Sequence, residues 1–292
     1  MTSNQPSTVF TAAGVAGYLH AVDIDSGREF GHHPDVPVAM ASVVKVLFAL
    51  EFGRQVSAGQ LDPGDRVRTR PTDRLGGTGI AGCQDDVELS LRDLVWFMMT
   101  VSDNTAADLL LDRIGTDNVR SLVGELGLTA TRIVGGPRDL LALMADDLAA
   151  TEPTALARRL ADDDPTTLAG LRAYDPAHTN ATTARDLTRL LSRIWQDTAG
   201  PPDACQATRR SMRHQVNWHR ITAAMPETAE VAAKSGSMPG LRHEVAVVTF
   251  PDGGRYAVAV LTTGPRTRRR GPEVDAAIGA AARIAIDRLR GR

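Results

Sequence analysis

Hydrophobic and polar positions change their spacing three times along the 292-residue chain. Residues 17–25 alternate apolar and polar side chains up to Ser26-Gly27, and a second short run covers residues 28–33. Alternation with a period of two indicates half-buried strands, and a Ser-Gly pair between two such runs is typical of a hairpin turn. We therefore predict a β-hairpin near the start of the chain.

A long helical region follows this hairpin. After Pro37, the residues Val43, Val46, Leu47 and Leu50 recur at helical spacing. Ser90 and Thr183 each precede an aspartate by three positions, which is typical of helix N-caps. Between about residues 61 and 212 the pattern predicts these helices: Leu91–Met99, Asn104–Ile114, Val119–Leu126, Arg138–Ala149, Thr154–Leu160 and Thr183–Trp195.

The period of two returns near Glu230. It predicts strands over 231–235, 243–250 and 255–262, with a turn at 251–254 and a final amphipathic helix over about 272–289. Strands thus lie at both ends of the chain with helices between them. This order predicts an α/β (α+β) fold: one antiparallel sheet built from both chain termini, flanked by helices, with an inserted all-α lobe. We expect residues 1–60 and 212–292 to form the α/β domain, and residues 61–211 the inserted all-α domain.

Composition excludes several classes of function. The 33 basic and 35 acidic residues give a net charge of −2, without the positive field that nucleic-acid binding needs. No apolar run approaches the ~18 residues of a membrane span, and no secretory signal is visible. The two cysteines are too few for a disulfide framework or a four-Cys zinc site, and the histidines lack metal-ligand spacing. We expect a cytoplasmic protein that acts on a small molecule without a metal or cofactor, and that binds neither nucleic acid nor membrane; its oligomeric state is left open.

Lysine is almost missing from the chain. It occurs only at Lys45 and Lys234, so 31 of the 33 basic residues are arginine. Arginine stays protonated in proteins, whereas a desolvated lysine can lose its proton. A lysine retained in such a chain either survives by chance or stands where a deprotonatable amine is required, and its neighbours decide between the two.

Both lysines stand in short motifs with hydroxyl side chains. In Ser42-Val-Val-Lys45 the two polar residues share one helix face, so a neutral amine could take the serine proton. Ser102-Asp103-Asn104 lies between two apolar helices, and Lys234-Ser235-Gly236-Ser237 lies at a strand end. Each motif alone has an ordinary structural explanation: an N-cap with an exposed lysine, a turn with a cap, or an edge strand.

The three motifs in this order resemble those of the serine β-lactamase/penicillin-binding protein superfamily, and the chain is most similar to class A β-lactamases. The segment Met98–Asp112 is a particularly full match, and the resemblance extends from the first hairpin to the last helix. Gly77–Gly82 also fits G-x-G-x-x-G, but it does not join a strand to a helix as a dinucleotide site requires. The resemblance instead implies that this loop borders an active site.

The resemblance also implies a role for each motif residue. Ser42 is the nucleophile that forms an acyl-enzyme, and Lys45 helps to activate it. Ser102 bridges the two lysines and relays a proton to the leaving group. The remaining residues bind substrate. Asn104 binds an amide of the substrate, Lys234 and Ser235 bind its carboxylate, and Arg242 is a second anchor for that carboxylate. The backbone amides of Ser42 and Ser237, beside Gly236, form the oxyanion hole.

One element of the class A pattern is missing. Class A enzymes carry a loop glutamate that activates the deacylating water, and the corresponding stretch here, Asp162–Asp175, contains no glutamate. Three functions therefore stay open. The first is a β-lactamase-like serine hydrolase acting through a Ser42 acyl-enzyme on a small amide, ester or β-lactam. The second is a peptidase, esterase or biosynthetic acyl-transfer enzyme with poor β-lactam turnover, and the third is a non-turnover penicillin-binding or sensor module. The three tryptophans are interpreted as core residues.

Overall fold

The computed structural model describes residues 5–151, 155–156, 158–159, 170–264 and 271–292. The helices in these ranges are α1 Pro6–Ala12, α2 Lys45–Ser57, α3 Leu91–Thr100, α4 Asn104–Ile114, α5 Thr116–Glu125, α6 Pro137–Asp147, α7 Ala184–Trp195, α8 Pro202–Arg213, α9 Ile221–Ala224 and α10 Pro272–Leu289. The strands are β1 Ala16–Asp23, β2 Glu29–His32, β3 Val38–Ala39, β4 Arg66–Arg68, β5 Glu88–Ser90, β6 Ala181–Thr182, β7 Glu230–Met238, β8 Leu241–Thr249 and β9 Arg255–Thr263.

Five strands form one antiparallel sheet in the order β2-β1-β9-β8-β7. The N-terminal hairpin thus pairs with the C-terminal strands, with Leu19 opposite Val260. The predicted fold class is confirmed, because a single sheet does draw on both ends of the chain. Successive side chains of β8 point to opposite faces of the sheet. Val245 and Val247 belong to the apolar cluster that includes α2, and Ala246 and Val248 belong to the cluster that includes α10.

Most predicted helices are confirmed within a few residues, and both predicted N-caps form. Ser90 accepts from the Asp93 amide, and Thr183 accepts from the Asp186 amide. Of the predicted helix at 154–160, residues 155–156 and 158–159 are helical, and residues 154, 157 and 160 lie outside the described residues. The pattern missed α1 and α8. In α8 the buried face consists of small or polar residues with one methionine, which leaves little hydrophobic periodicity to detect: Ala204, Cys205, Thr208, Ser211 and Met212.

The helices of the central region pack on the same core as the sheet. One apolar cluster contains Val43 and Leu47, helix residues such as Leu94 and Leu110, and sheet residues such as Val245. The division into residues 61–211 and the rest stays a prediction. In the part of the chain that the structure describes, no helix combines the length and apolar character that crossing a membrane requires.

Candidate active site

The predicted nucleophile lies in a short 3₁₀ turn, Ala41–Val44, that leads directly into α2. The sequence placed this motif at the start of the helix itself, whereas the α-helix begins at Lys45. Residues three apart eclipse one another in a 3₁₀ turn, so the two motif residues still share a side. Ala41 has φ of 46°, a left-handed conformation that is costly for a residue with a Cβ. The neighbouring backbone is held from outside, because Met40 donates to the Asn180 carbonyl over 2.8 Å.

Lys45 is buried and fully occupied as a donor. Its Nζ donates to the Ser102 carbonyl at 2.7 Å and to Asn104 Oδ1 at 2.8 Å, and it lies 3.3 Å from Ser102 Oγ. An ammonium has three donors, so these three acceptors satisfy it. Asn104 opens α4, and Ser102 lies just before that helix with φ of 61°. The left-handed backbone at Ser102 therefore helps both the carbonyl and the hydroxyl of this residue to reach the Lys45 amine.

Lys234 approaches the same hydroxyl from the sheet. Its Nζ donates to Ser102 Oγ at 3.0 Å and to the Ser235 carbonyl at 2.9 Å, and its side chain is inaccessible to solvent. Ser102 and Lys234 are 132 positions apart in sequence. The only two lysines of the chain thus converge on one serine oxygen, the Oγ of Ser102.

Burial makes both amines less basic. It lowers the pKa of Lys45 to about 7, although the negative charges of Asp103 and Asp108 oppose part of that fall. Burial also lowers the pKa of Lys234 well below its usual range, and the neighbouring Lys45 adds to the fall. Two amines around one hydroxyl cannot both carry a proton cheaply, because like charges repel in a desolvated site. A neutral lysine beside a serine hydroxyl is the condition that proton transfer requires.

Strand β7 passes very close to the nucleophile segment at Gly236. A Cβ built on Gly236 would lie 3.1 Å from the Ser42 nitrogen and 3.2 Å from the Met40 carbonyl oxygen. Only glycine allows this approach without displacement. The contact brings the Ser42 amide beside Gly236, the residue that precedes Ser237. The backbone amides of Ser42 and Ser237 are the two from which an oxyanion hole is expected.

Asp103 fixes the loop on the other side of the cluster. Its carboxylate accepts from the Ala106 amide at 2.9 Å, which caps α4, and from the Ile80 amide at 2.7 Å. The loop Gly77–Gly82 is thereby held against the Ser-Asp-Asn motif, and a Cβ at Gly77 would lie 3.3 Å from Asn104 Nδ2. The glycine-rich loop therefore does border this cluster.

Sequence reasoning missed a buried arginine at the site. Arg220 donates to Ser237 Oγ at 2.6 Å, to the Gly236 carbonyl at 3.1 Å and to Asp275 at 2.7 Å, with only 2% of the residue exposed. Among 31 arginines it carries no motif, so nothing in the sequence singled it out. Arg242, the predicted second anchor, lies beside it but donates to both oxygens of Asp275 at 2.8 Å. The side chain of Arg220 thus contacts β7 at Gly236 and Ser237, whereas Arg242 lies opposite Ser237 in the sheet register with its side chain paired to Asp275.

Two of the three tryptophans contradict their interpretation as core residues. Trp195 is buried, but Trp96 is 39% exposed and Trp218 is 66% exposed. Trp218 is nevertheless held in place, because its Nε1 donates to the Gln215 carbonyl at 2.6 Å.

The missing loop glutamate has no evident replacement among the described acids of that stretch. Asp162, Asp163 and Asp164 lie outside the described residues. Asp175 accepts from the Ala177 amide and pairs with His178 in a half-exposed turn. Across the described ranges, no group of three or more His, Cys, Asp or Glu side chains is arranged to hold a metal ion.

Fold and cluster together define a class of protein in which a serine and two buried lysines meet at the edge of an antiparallel sheet. Comparison with known sequences identifies the class more closely, because the model of the "Beta-lactamase enzyme family" matches residues 3–289. The chain belongs to this family. It is a β-lactamase-like serine hydrolase, and its substrate is a small molecule.

Two relatives and one solved structure illustrate the similarity. The "Beta-lactamase regulatory protein BlaB" of Streptomyces cacaoi is 29% identical over 293 residues, covering 95% of this chain and 94% of the relative. The "Beta-lactamase AST-1" of Nocardia asteroides is 27% identical over 284 residues, covering 96% and 81%. The β-lactamase of Sphaerobacter thermophilus has 25% sequence identity and a TM-score of 0.79, covering 100% of this chain and 99% of its own.

Proposed function

We propose that this hydrolase forms a covalent acyl-enzyme at Ser42 with a small amide, ester or β-lactam that carries a carboxylate. The observation that supports the proposal is the position of both lysine amines at Ser102 Oγ, 3.3 Å and 3.0 Å away. A hydroxyl between two amines of lowered pKa is suited to moving a proton, which a purely structural turn does not need.

Acylation proceeds by attack of Ser42 Oγ on the substrate carbonyl carbon. Neutral Lys45 takes the hydroxyl proton as the new C–O bond forms. The oxygen of the carbonyl becomes negative and accepts from the Ser42 and Ser237 amides, each worth about 3 kcal/mol in such sites. When the C–N or C–O bond breaks, Ser102 gives its proton to the leaving atom and takes one from Lys45.

A substrate carboxylate binds at the outer end of β7. Ser235 and Ser237 supply hydroxyl donors there, and Arg220 and Lys234 supply positive charge. Arg220 contacts Ser237 Oγ directly, which orients that hydroxyl. Arg242, which lies opposite Ser237 in the sheet register, adds positive charge at the same end of the strand, since Arg220 and Arg242 share the single carboxylate of Asp275.

Release of the acyl group is the step that separates the candidate functions. With no glutamate in Asp162–Asp175, water activation falls to Lys45, which is again neutral once the leaving group has its proton. This arrangement favours slow deacylation. It also supports a second candidate, an acceptor that is acylated by a β-lactam and stops there, and the name of the Streptomyces cacaoi relative describes a regulatory protein.

Intact-mass spectrometry after incubation with penicillin G tests the proposal. We expect an adduct of one penicillin mass in the wild type and none in Ser42→Ala. Ser57→Ala is the matched control, because Ser57 lies at the far end of α2 with its hydroxyl bonded to the Gly53 carbonyl. Absence of an adduct in rapidly quenched wild type, together with no turnover of penicillin G or p-nitrophenyl acetate, contradicts the proposal, and so does an adduct that persists in Ser42→Ala.

The time course of the adduct separates the two candidate functions. Decay within seconds indicates a β-lactamase, whereas an adduct that lasts for hours indicates a non-turnover acceptor. Turnover of p-nitrophenyl acetate that Ser42→Ala abolishes, together with a long-lived penicillin adduct, indicates an esterase or acyl-transfer enzyme. The cytoplasmic location stays a prediction.

A further inference from the structure

A buried acid lies directly behind the K-S-G strand and has no part in the chemistry above. Glu244 is on β8, opposite Ser235 of β7 in the sheet register, and it is inaccessible to solvent. Burial raises the pKa of Glu244 to about 7, and the Ile221 amide is the first of several groups that oppose the rise. A buried carboxylate is costly unless its oxygens are well satisfied, so its partners indicate its purpose.

Both hydrogen-bond partners recorded for Glu244 lie in one short segment, residues 215–221. Glu244 Oε1 accepts from Gln215 Nε2 at 2.9 Å, and Oε2 accepts from the Ile221 amide at 2.6 Å. One side chain therefore ties down both ends of this seven-residue segment. Gln215 continues the connection, because its Oε1 accepts a short hydrogen bond from the Ser235 amide.

The segment 215–221 links the two halves of the site. Near its start, the Val216 amide donates to the Thr100 carbonyl at 3.0 Å, two residues before Ser102. Near its end, Arg220 donates to Ser237 Oγ and to the Gly236 carbonyl. A displacement of this segment would move the arginine relative to the strand.

We propose that Glu244 is a positioning residue that clamps residues 215–221 against strand β7, and so places Arg220 and Ser235 where a substrate carboxylate binds. The assignment of that anion rests on the proposed function. The clamp itself rests only on the contacts of Glu244 and Gln215. A carboxylate is required at this position because both of its oxygens accept hydrogen bonds, one from Gln215 and one from the Ile221 amide. A glutamine has only one oxygen, so its NH₂ group would face one of these two donors.

The test compares Glu244→Gln with a matched substitution elsewhere. Glu51 on α2 is also buried and also accepts from a glutamine, Gln55 Nε2 at 2.8 Å, so Glu51→Gln makes the same chemical change away from β7. Hydrogen exchange followed by mass spectrometry should show faster exchange of residues 215–221 in Glu244→Gln and no such change in Glu51→Gln. Equal exchange in that segment for both variants overturns the clamp.

Kinetics then test selectivity for the anion. For Glu244→Gln we expect the rate constant of acylation by penicillin G, which bears a carboxylate, to fall about tenfold or more, since small misplacements of binding groups have effects of up to ~100-fold. Hydrolysis of the uncharged p-nitrophenyl acetate should change less than about threefold, because this ester has no carboxylate for the displaced groups to bind. Equal losses for both substrates, with general destabilisation, indicate a merely structural role and overturn the proposal.

A second variant restores the pattern of donors and acceptors. In the double variant Glu244→Gln with Gln215→Glu, the new carboxylate at position 215 accepts from the Ser235 amide. It also accepts from the new amide NH₂ group at position 244, so the contact between the two side chains is restored with donor and acceptor exchanged. We expect this double variant to recover part of the penicillin rate and of the protection from exchange; no recovery argues against the clamp. If wild type forms no Ser42 adduct and turns over neither penicillin G nor p-nitrophenyl acetate, the proposed function fails, while the exchange comparison still decides the clamp.

Discussion

Replacing Lys45 by arginine keeps the positive charge but removes the capacity to be neutral, and we expect it to slow acylation severely. At pH 7 an amine with the ordinary pKa of 10.5 is neutral in about one molecule in 3,000. An amine with a pKa of about 7 is neutral in roughly half of the molecules. Burial thus supplies about a thousandfold more of the reactive base, and a guanidinium, with its much higher pKa, supplies essentially none.

The expected loss follows from this difference. General-base catalysis is worth about 10²–10⁴-fold in rate, so Lys45→Arg should reduce the acylation rate constant by about a thousandfold. The measurement is stopped-flow or quenched intact-mass kinetics of Ser42 acylation by penicillin G, with circular dichroism to verify folding. Ser102 Oγ, Asn104 and the Ser102 carbonyl all remain, so a folded variant retains the rest of the cluster. A folded Lys45→Arg protein that acylates within tenfold of wild type refutes the reasoning.

The same argument predicts a pH dependence in the wild type. Because the pKa of Lys45 is lowered, the neutral form grows as pH rises through about 7, and the acylation rate should rise with it and level off above that value. The sign for stability is the same: between about pH 7 and 10.5 the unfolded chain binds a proton that the folded chain lacks, so the destabilisation caused by burying this lysine decreases as pH rises across that window. A rate that stays constant from pH 5.5 to 8.5 contradicts a neutral lysine base.

Three further substitutions test the surroundings of the cluster. Gly236→Ala places a Cβ 3.1 Å from the Ser42 nitrogen, and we expect acylation to slow about 10–100-fold with little change in melting temperature. Arg220→Gln removes the cation beside Ser237, so KM for carboxylate substrates should rise about tenfold while an uncharged ester is unaffected. Asp103→Asn leaves one of two amide donors without its acceptor, which should cost about 1–2 kcal/mol in urea unfolding.

Each of these has an outcome that contradicts it. Wild-type acylation in Gly236→Ala means that the close approach has no role in the oxyanion site. Equal effects of Arg220→Gln on charged and uncharged substrates assign that arginine to folding alone. An Asp103→Asn protein as stable as Asp93→Asn contradicts the third prediction, because Asp93, in the first turn of α3, is partly exposed and its substitution should cost less.

Local features were predictable from the sequence because they depend on near neighbours. The first hairpin, the three C-terminal strands and the caps at Ser90 and Thr183 follow from spacing and turn residues over a few positions. The two lysines and their motifs also pointed to Ser102, where the structure brings both amines together. Helix α8 was missed, because a face of small and polar side chains has no hydrophobic period.

Contacts between distant segments depended on tertiary structure. The family resemblance implied that Ser102 bridges Lys45 and Lys234, but the distances between these groups came only from the structure. The same is true of the approach of β7 to the Ser42 amide and of the contacts of Arg220, which join residues far apart in the chain. No periodicity encodes them, because they arise from how β7, α2 and the α3–α4 turn pack on one core. The same holds for Glu244, which in sequence is one acid among 35 acidic residues, and whose place behind β7 only the strand register reveals. The chain's order of residues determined which groups are available for chemistry, and the packing decided which of them meet.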